Sequence, residues 1–149
     1  LDNKLVWRHV PRRLEAEILR DQMLAVSGAW DPTMFGPGTL DESHRRRSIY
    51  FTVKRSKLVP MMLSFDAPDA LAGLGRRATT TVAPQALTIM NNAQVRAWAM
   101  AFAGKALPDE QTSRETAIRA AYRYALCRDP DELELTAAVR FIEAQSAGY

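Results

Sequence analysis

Residues 76–92 read RRATTTVAPQALTIMNN, and their folding decides how the two halves of the chain join. Two cations lead in. Thr79 to Val82 is β-prone, because β-branched side chains fit an extended, pleated backbone. Pro84 suits the first turn of a helix, where its missing N–H would have no partner. Ala86, Leu87, Ile89 and Met90 give that helix an apolar side, and Asn91-Asn92 ends it. The stretch predicts a strand–turn–helix joint.

Upstream, Arg47 to Arg55 reads as the partner strand. Ile49, Phe51 and Val53 alternate with Tyr50, Thr52 and Lys54, so one face goes to the core. Pairing Thr79–Val82 with Ile49–Val53 makes a two-stranded ribbon, which needs helices packed on it to be stable. Arg12 to Val26 is rich in helix formers and Ser27-Gly28 closes it. Ala29 to Arg45 carries Asp31-Pro32 and Gly36-Pro37-Gly38 and reads as a long loop anchored by Trp30, Met34 and Phe35. Leu58 to Phe65 predicts a short helical turn beginning near Pro60. Downstream, Val95, Trp98, Ala99 and Phe102 share a helix face. Thr112 with Glu115 reads as a capping box, and Asp129-Pro130 with Glu132 starts the last helix. The expected fold is mainly α: one helical domain over residues 1–149, with a small two-stranded β-ribbon and a C-terminal helical hairpin.

A chain of 149 residues suffices for one domain with a real core. Its 20 basic and 17 acidic residues nearly balance, which argues against nucleic acid as a partner. One cysteine, Cys127, rules out an internal disulfide. No apolar run is long enough for a membrane span. His9, His44 and Cys127 have no metal-ligand spacing, so no metal site is expected. Without Cys-x-x-Cys-His the stretch attaches no c-type haem. Met61 and Met62 read as core fillers ahead of axial haem ligands. Gly-x-Ser-x-Gly is absent, and Ser27, Ser48 and Ser64 have no signalled base.

Two constellations remain. Arg13, Glu17, Arg20 and Asp21 share one stripe of the first helix, either as a buried ionic network or as a solvated face of i,i+4 pairs. Arg77, Gln85 and Asn91 are expected to tie the joint to that helix, completing a structural polar network. Around the ribbon, Arg45, Arg46, Arg47, Lys54, Arg55 and Lys57 form a basic cluster, with Arg76-Arg77 on the other strand. Arginine grips carboxylate, sulfate or phosphate through two parallel N–H donors. Arg46, Arg47, Tyr50, Arg55, Asp66 and Arg77 are the candidate ligand-binding residues; the competing reading is cations paired locally in solvent. A hydrolytic site built from Glu17, Arg47, Tyr50, Asp66 and Arg77 predicts a cleft where they converge and a carboxyl pKa is raised.

An ordered series of residues carries a family resemblance. It runs Arg12-Arg13-Leu14-Glu15-Ala16-Glu17, Arg20-Asp21, Ala25-Val26-Ser27-Gly28, Gly36-Pro37 and Arg46-Arg47-Ser48-Ile49-Tyr50. It continues through Lys54-Arg55-Ser56, Phe65-Asp66-Ala67-Pro68-Asp69, Arg77, Thr80-Thr81-Val82, Pro84-Gln85-Ala86-Leu87 and Asn91, and closes with Tyr122 to Pro130. The set resembles the C-terminal domain of unknown function in planctomycete cytochrome-associated proteins, the "PSD-one" family. The resemblance implies that the chain is the latter part of that domain. It also implies a large exported bacterial parent, an extracytoplasmic location, and partner domains that include a c-type cytochrome module carrying any haem. It gives no activity. At Cys127 the family more often has glycine. The function expected is a non-catalytic structural or interaction module. The alternatives are a carbohydrate-active or other hydrolytic domain, or a module binding an anionic polysaccharide such as a sulfated glycan.

Overall fold

The computed structural model describes residues 3–9, 12–54, 56–68 and 75–148. Among these residues lie six α-helices: α1 (Ala16–Ser27), α2 (Pro60–Ser64), α3 (Ala83–Asn91), α4 (Ala93–Ala106), α5 (Arg114–Leu126) and α6 (Glu132–Ser146). Helix α1 packs on α4 and α2, α2 on α3, α3 on α4, α4 on α5, and α5 on α6. The protein is mainly helical, and its last two helices pair.

Helix α1 begins at Ala16, later than the sequence pattern suggests. Tertiary partners hold the residues before it in extended form. Arg13 donates to the Thr81 hydroxyl at 3.3 Å and lies over the Phe65 ring, and Glu15 accepts from Arg77 at 3.3 Å. Gly28 ends the helix at φ 76°, a left-handed conformation that glycine adopts without steric cost.

Asn92 separates α3 from α4. Its N–H donates to Thr88 O at 2.9 Å, ending α3, while its side chain accepts from the Gln94 and Val95 amides at 2.8 and 3.1 Å, starting α4. Helix α5 is capped by Ser113 rather than by the expected Thr112. Thr112 is already engaged, because Asp109 accepts from both its amide and its hydroxyl. Helix α6 starts on a reciprocal cap between Asp131 and Glu134, two residues beyond the Asp129-Pro130 signal. Asp129 instead accepts from Arg123 at 2.6 Å across the α5–α6 turn.

The ribbon is not found: the described residues form no β-sheet, only isolated Thr39–Phe51 and Lys54–Lys57 bridges. Ser48–Tyr50 is instead a single 3₁₀ turn. The backbone donors that would have built the ribbon go elsewhere. Asp21 Oδ1 accepts from both the Ser48 amide and its hydroxyl, each at 2.7 Å. Thr39 exchanges bonds with Tyr50 O and the Thr52 amide at 2.8 Å. On the other side, Asp66 takes the Thr80 amide at 2.7 Å and Gln85 takes the Val82 amide at 3.1 Å. Side chains, together with the Thr39 backbone, thus satisfy the groups a ladder would have paired. The alternation fails with it: Phe51 packs on the core, but Ile49 is 74% and Val53 70% exposed.

The core has two small clusters that meet at α2. Met62 joins Ala16 and Phe65, while the adjacent Met61 joins Leu24 and Trp98. Both methionines are buried fillers, as their flexible, unbranched chains suit.

Candidate functional site

The charged stripe of α1 divides into two structures. Arg20 points inward and is 1% exposed. It donates to the carbonyls of Arg46 (3.0 Å) and His44 and to the Ser48 hydroxyl, between the rings of Phe51 and Trp98 at 4.7 and 5.6 Å. Its nearest anion, Asp21, is 3.8 Å away. Burial draws the Arg20 guanidinium below its ordinary pKa, with Asp21 and Glu42 opposing. Arg20 therefore ties the end of the long loop to the core mainly through neutral acceptors. His44 lies edge-on to Phe51 in the same layer, and burial beside Arg20 and Arg46 lowers its pKa.

Glu17 and Asp21 face outward into a groove of about 490 Å³ between α1, the 3₁₀ turn and α2. Ile18, Phe51, Val59, Met62 and Leu63 form its apolar floor; Glu17, Asp21, Arg47, Lys57 and Arg77 stand around the rim. A volume of that order fits several side chains or one small ligand.

Rim electrostatics are set by pairing. Arg77 grips both Glu17 oxygens, at 2.8 and 3.0 Å, and reaches Glu15 at 3.3 Å. Burial alone pushes the Glu17 carboxyl up. The Arg77 hydrogen bonds, a bond to its own backbone and the Arg77 charge together carry it below its ordinary value. The Arg77 guanidinium is raised in return, chiefly by the hydrogen bond to Glu17. Asp21 gives one oxygen to Ser48 and turns the other toward Arg47 Nε at 3.6 Å. Arg47 itself is 63% exposed on its side chain.

The remaining predicted residues stand outside this groove. Arg46 donates to Phe35 O and Pro37 O at 2.8 and 2.7 Å and stacks on Tyr50 at 4.2 Å. The Tyr50 hydroxyl accepts from the Phe35 amide at 2.7 Å. These two residues brace the long loop. Asp66, at φ 61°, accepts from the Thr80 amide and hydroxyl, which lower its pKa against burial, with Arg13 adding its charge. Gln85 is buried and bonds to Val82 and Thr80 within its own joint, not to α1. Asn91 is exposed, and the helix cap falls to Asn92. Arg55 lies outside the described residues.

Sequence reasoning missed Ile18, which sits amid the stripe's charges yet contributes to the groove, and Ser48, whose polar role depends on the 3₁₀ turn. Among the described residues, no cluster of three or more His, Cys, Asp or Glu is placed to hold a metal. None of the described helices is long and apolar enough to cross a membrane. No curated protein and no solved structure matches the chain. A family profile does match, over residues 1–142: PSD1, described as a protein of unknown function (DUF1553). With nearly its whole length covered by that profile, the chain belongs to the PSD1 family.

Proposed function

We propose that this chain is a non-catalytic interaction module that docks to other parts of a larger protein. One observation carries the reading: the groove combines apolar side chains open to solvent with carboxylates that are already engaged. Ile49 and Val53, both at the groove, are 74% and 70% exposed, an arrangement typical of a surface awaiting a partner. A hydrolytic site asks for the opposite electrostatics, a carboxyl kept protonated to act as an acid. Glu17 and Asp66, the two candidate acids, are both shifted downward.

The parent is, in this reading, an exported, extracytoplasmic protein that also carries a c-type cytochrome module. That part rests on the family resemblance, and the haem would belong to the other module. A sulfated glycan is disfavoured as ligand because Arg46 and Arg77 already have protein partners, leaving Arg47 and Lys57 as the groove's open cations.

The test has two readouts. Hydrogen exchange of the chain alone and within its parent is expected to differ, with slower exchange in the parent at apolar surface exposed here. Chromogenic ester, glycoside and sulfate-ester substrates are expected to remain intact. Turnover of any of them that disappears on Arg77→Ala would overturn the reading.

A further inference from the structure

Resting on the interaction reading, we infer that the groove beside α1 receives a polypeptide segment with apolar anchors and an acidic side chain, which meets Arg47 and Lys57. The argument is charge complementarity over an apolar floor. Every acidic group of the rim already accepts at least one hydrogen bond: Arg77 donates to Glu17 and Glu15, and Ser48 donates to Asp21. An incoming cation would compete with these bonds, whereas an incoming carboxylate would meet cations that donate no side-chain hydrogen bond among the described residues.

The cations are placed differently. Arg47 meets Asp21 only through Nε at 3.6 Å, beyond hydrogen-bond length, so its terminal amino groups remain available to a carboxylate. Among the described residues Lys57 makes no side-chain hydrogen bond, and it is exposed where it lines the groove. Ile18, Val53, Leu58 and Leu63 line the same groove. A groove exposed at its lips suits a chain laid along it, whose apolar side chains at helical spacing enter the floor. Its acidic residue would then reach the lip, where it steers association and fixes register more than it adds affinity.

The experiment is selection of a random twelve-residue display library on the 149-residue chain, repeated on four variants whose folding is verified by circular dichroism. The expected consensus has apolar residues at i and i+3 or i+4 with a neighbouring Asp or Glu. Arg47→Glu and, independently, Lys57→Glu should replace that acid by Lys or Arg. Ile18→Asp and Val53→Asp, both at exposed positions, should weaken selected peptides by roughly tenfold or more. No enrichment, an acidic preference indifferent to both charge reversals, or peptides unaffected by both floor changes would overturn the inference. The same peptides added to the parent protein separate the two claims. If exchange slows in the parent but at surfaces other than the groove, the interaction reading stands and this occupant is wrong. If the parent protects nothing on this chain, the interaction reading itself fails.

Discussion

Replacing Arg20 by methionine tests whether one buried cation organises the middle of the chain. Methionine matches much of the arginine stem and fits an apolar layer, so the change removes donors and charge more than volume. The carbonyls of His44 and Arg46 would lose their charged donor in a water-poor site, at about 1–3 kcal/mol each. Contacts with the faces of Phe51 and Trp98 add about 1–2 kcal/mol. Against this, removing a cation whose nearest anion is 3.8 Å away recovers desolvation energy. The net expectation is a loss of about 3 kcal/mol, a large share of the roughly 5–15 kcal/mol that holds a domain together.

At a slope of about 2 kcal/mol per molar urea, the unfolding midpoint should fall by about 1.5 M, followed by tryptophan fluorescence and far-UV dichroism. Arg20→Lys keeps the charge but cannot fork to two carbonyls and Ser48, so its midpoint should lie between the two. Proteolysis in the Ala29–Arg45 loop should accelerate in both variants. A midpoint drop under about 0.5 M for Arg20→Met would refute the reasoning, since the freed carbonyls would then be satisfied without the guanidinium.

Cys127 ends α5 at φ 55°, a conformation costing an L-residue about 1 kcal/mol, so Cys127→Gly should raise Tm by about 2–4 °C in a calorimetric scan. Glu134 is held at about 2, against 4.5 for the free side chain, by the Arg128 hydrogen bonds first and the Asp131 amide second. A depressed folded pKa means this stabilisation is complete above about pH 4.5 and is lost as pH falls toward about 2. Protection of the first-turn amides of α6, measured relative to their intrinsic exchange rates, should fall across that window, and Glu134→Gln should remove that loss of protection. A Cβ at Gly38 would meet Thr52 Oγ1 at 2.7 Å and Tyr50 O at 3.2 Å. Gly38→Ala should therefore open the Thr39–Phe51 bridge, cost about 1–2 kcal/mol and expose the loop to protease.

Periodicity made the helices legible. The 3.6-residue repeat of Val95, Trp98 and Phe102, the Pro60 start and the Gly28 stop are local signals, and local signals survive into the fold. The ribbon does not form although Ile49, Phe51 and Val53 have strand composition, because the Phe51 amide closes the 3₁₀ turn on Ser48 O while Asp21 and Thr39 take the Ser48 and Thr52 amides. Asp21 is 27 residues from Ser48, and no window of sequence carries that bond. The cap shift from Thr112 to Ser113 has the same origin on a smaller scale, since Asp109 engages the threonine first. The groove is legible in part. Glu17, Asp21, Arg47 and Arg77, marked by their charge, line it, whereas the equally charged Arg46 and Asp66, and Tyr50, marked as an aromatic among cations, brace loops instead. Residue type signalled polar importance without distinguishing a ligand-facing group from a loop clamp.

That distinction follows from what each guanidinium meets. Arg20 and Arg46 end on backbone carbonyls, neutral acceptors fixed in place by the chain, so they set the path of the loop. Arg77 ends on Glu17 and Glu15, side-chain anions at a groove edge, so it sets the charge state of the rim. Arg47 lacks a close partner of either kind. The same residue type thus serves three ends according to its acceptor. The stripe on α1 is what assigns them: Arg20 faces in, Glu17 faces the joint, and Asp21 winds Ser48 into the turn that carries Arg47 to the lip. Shifting any of these three by one helical position would send the loop, the joint or the turn to the wrong face, because successive residues on a helix point about 100° apart. The joint around Arg76–Asn92 is accordingly a consequence of α1's register, held by Arg77 at one end and capped by Asn92 at the other.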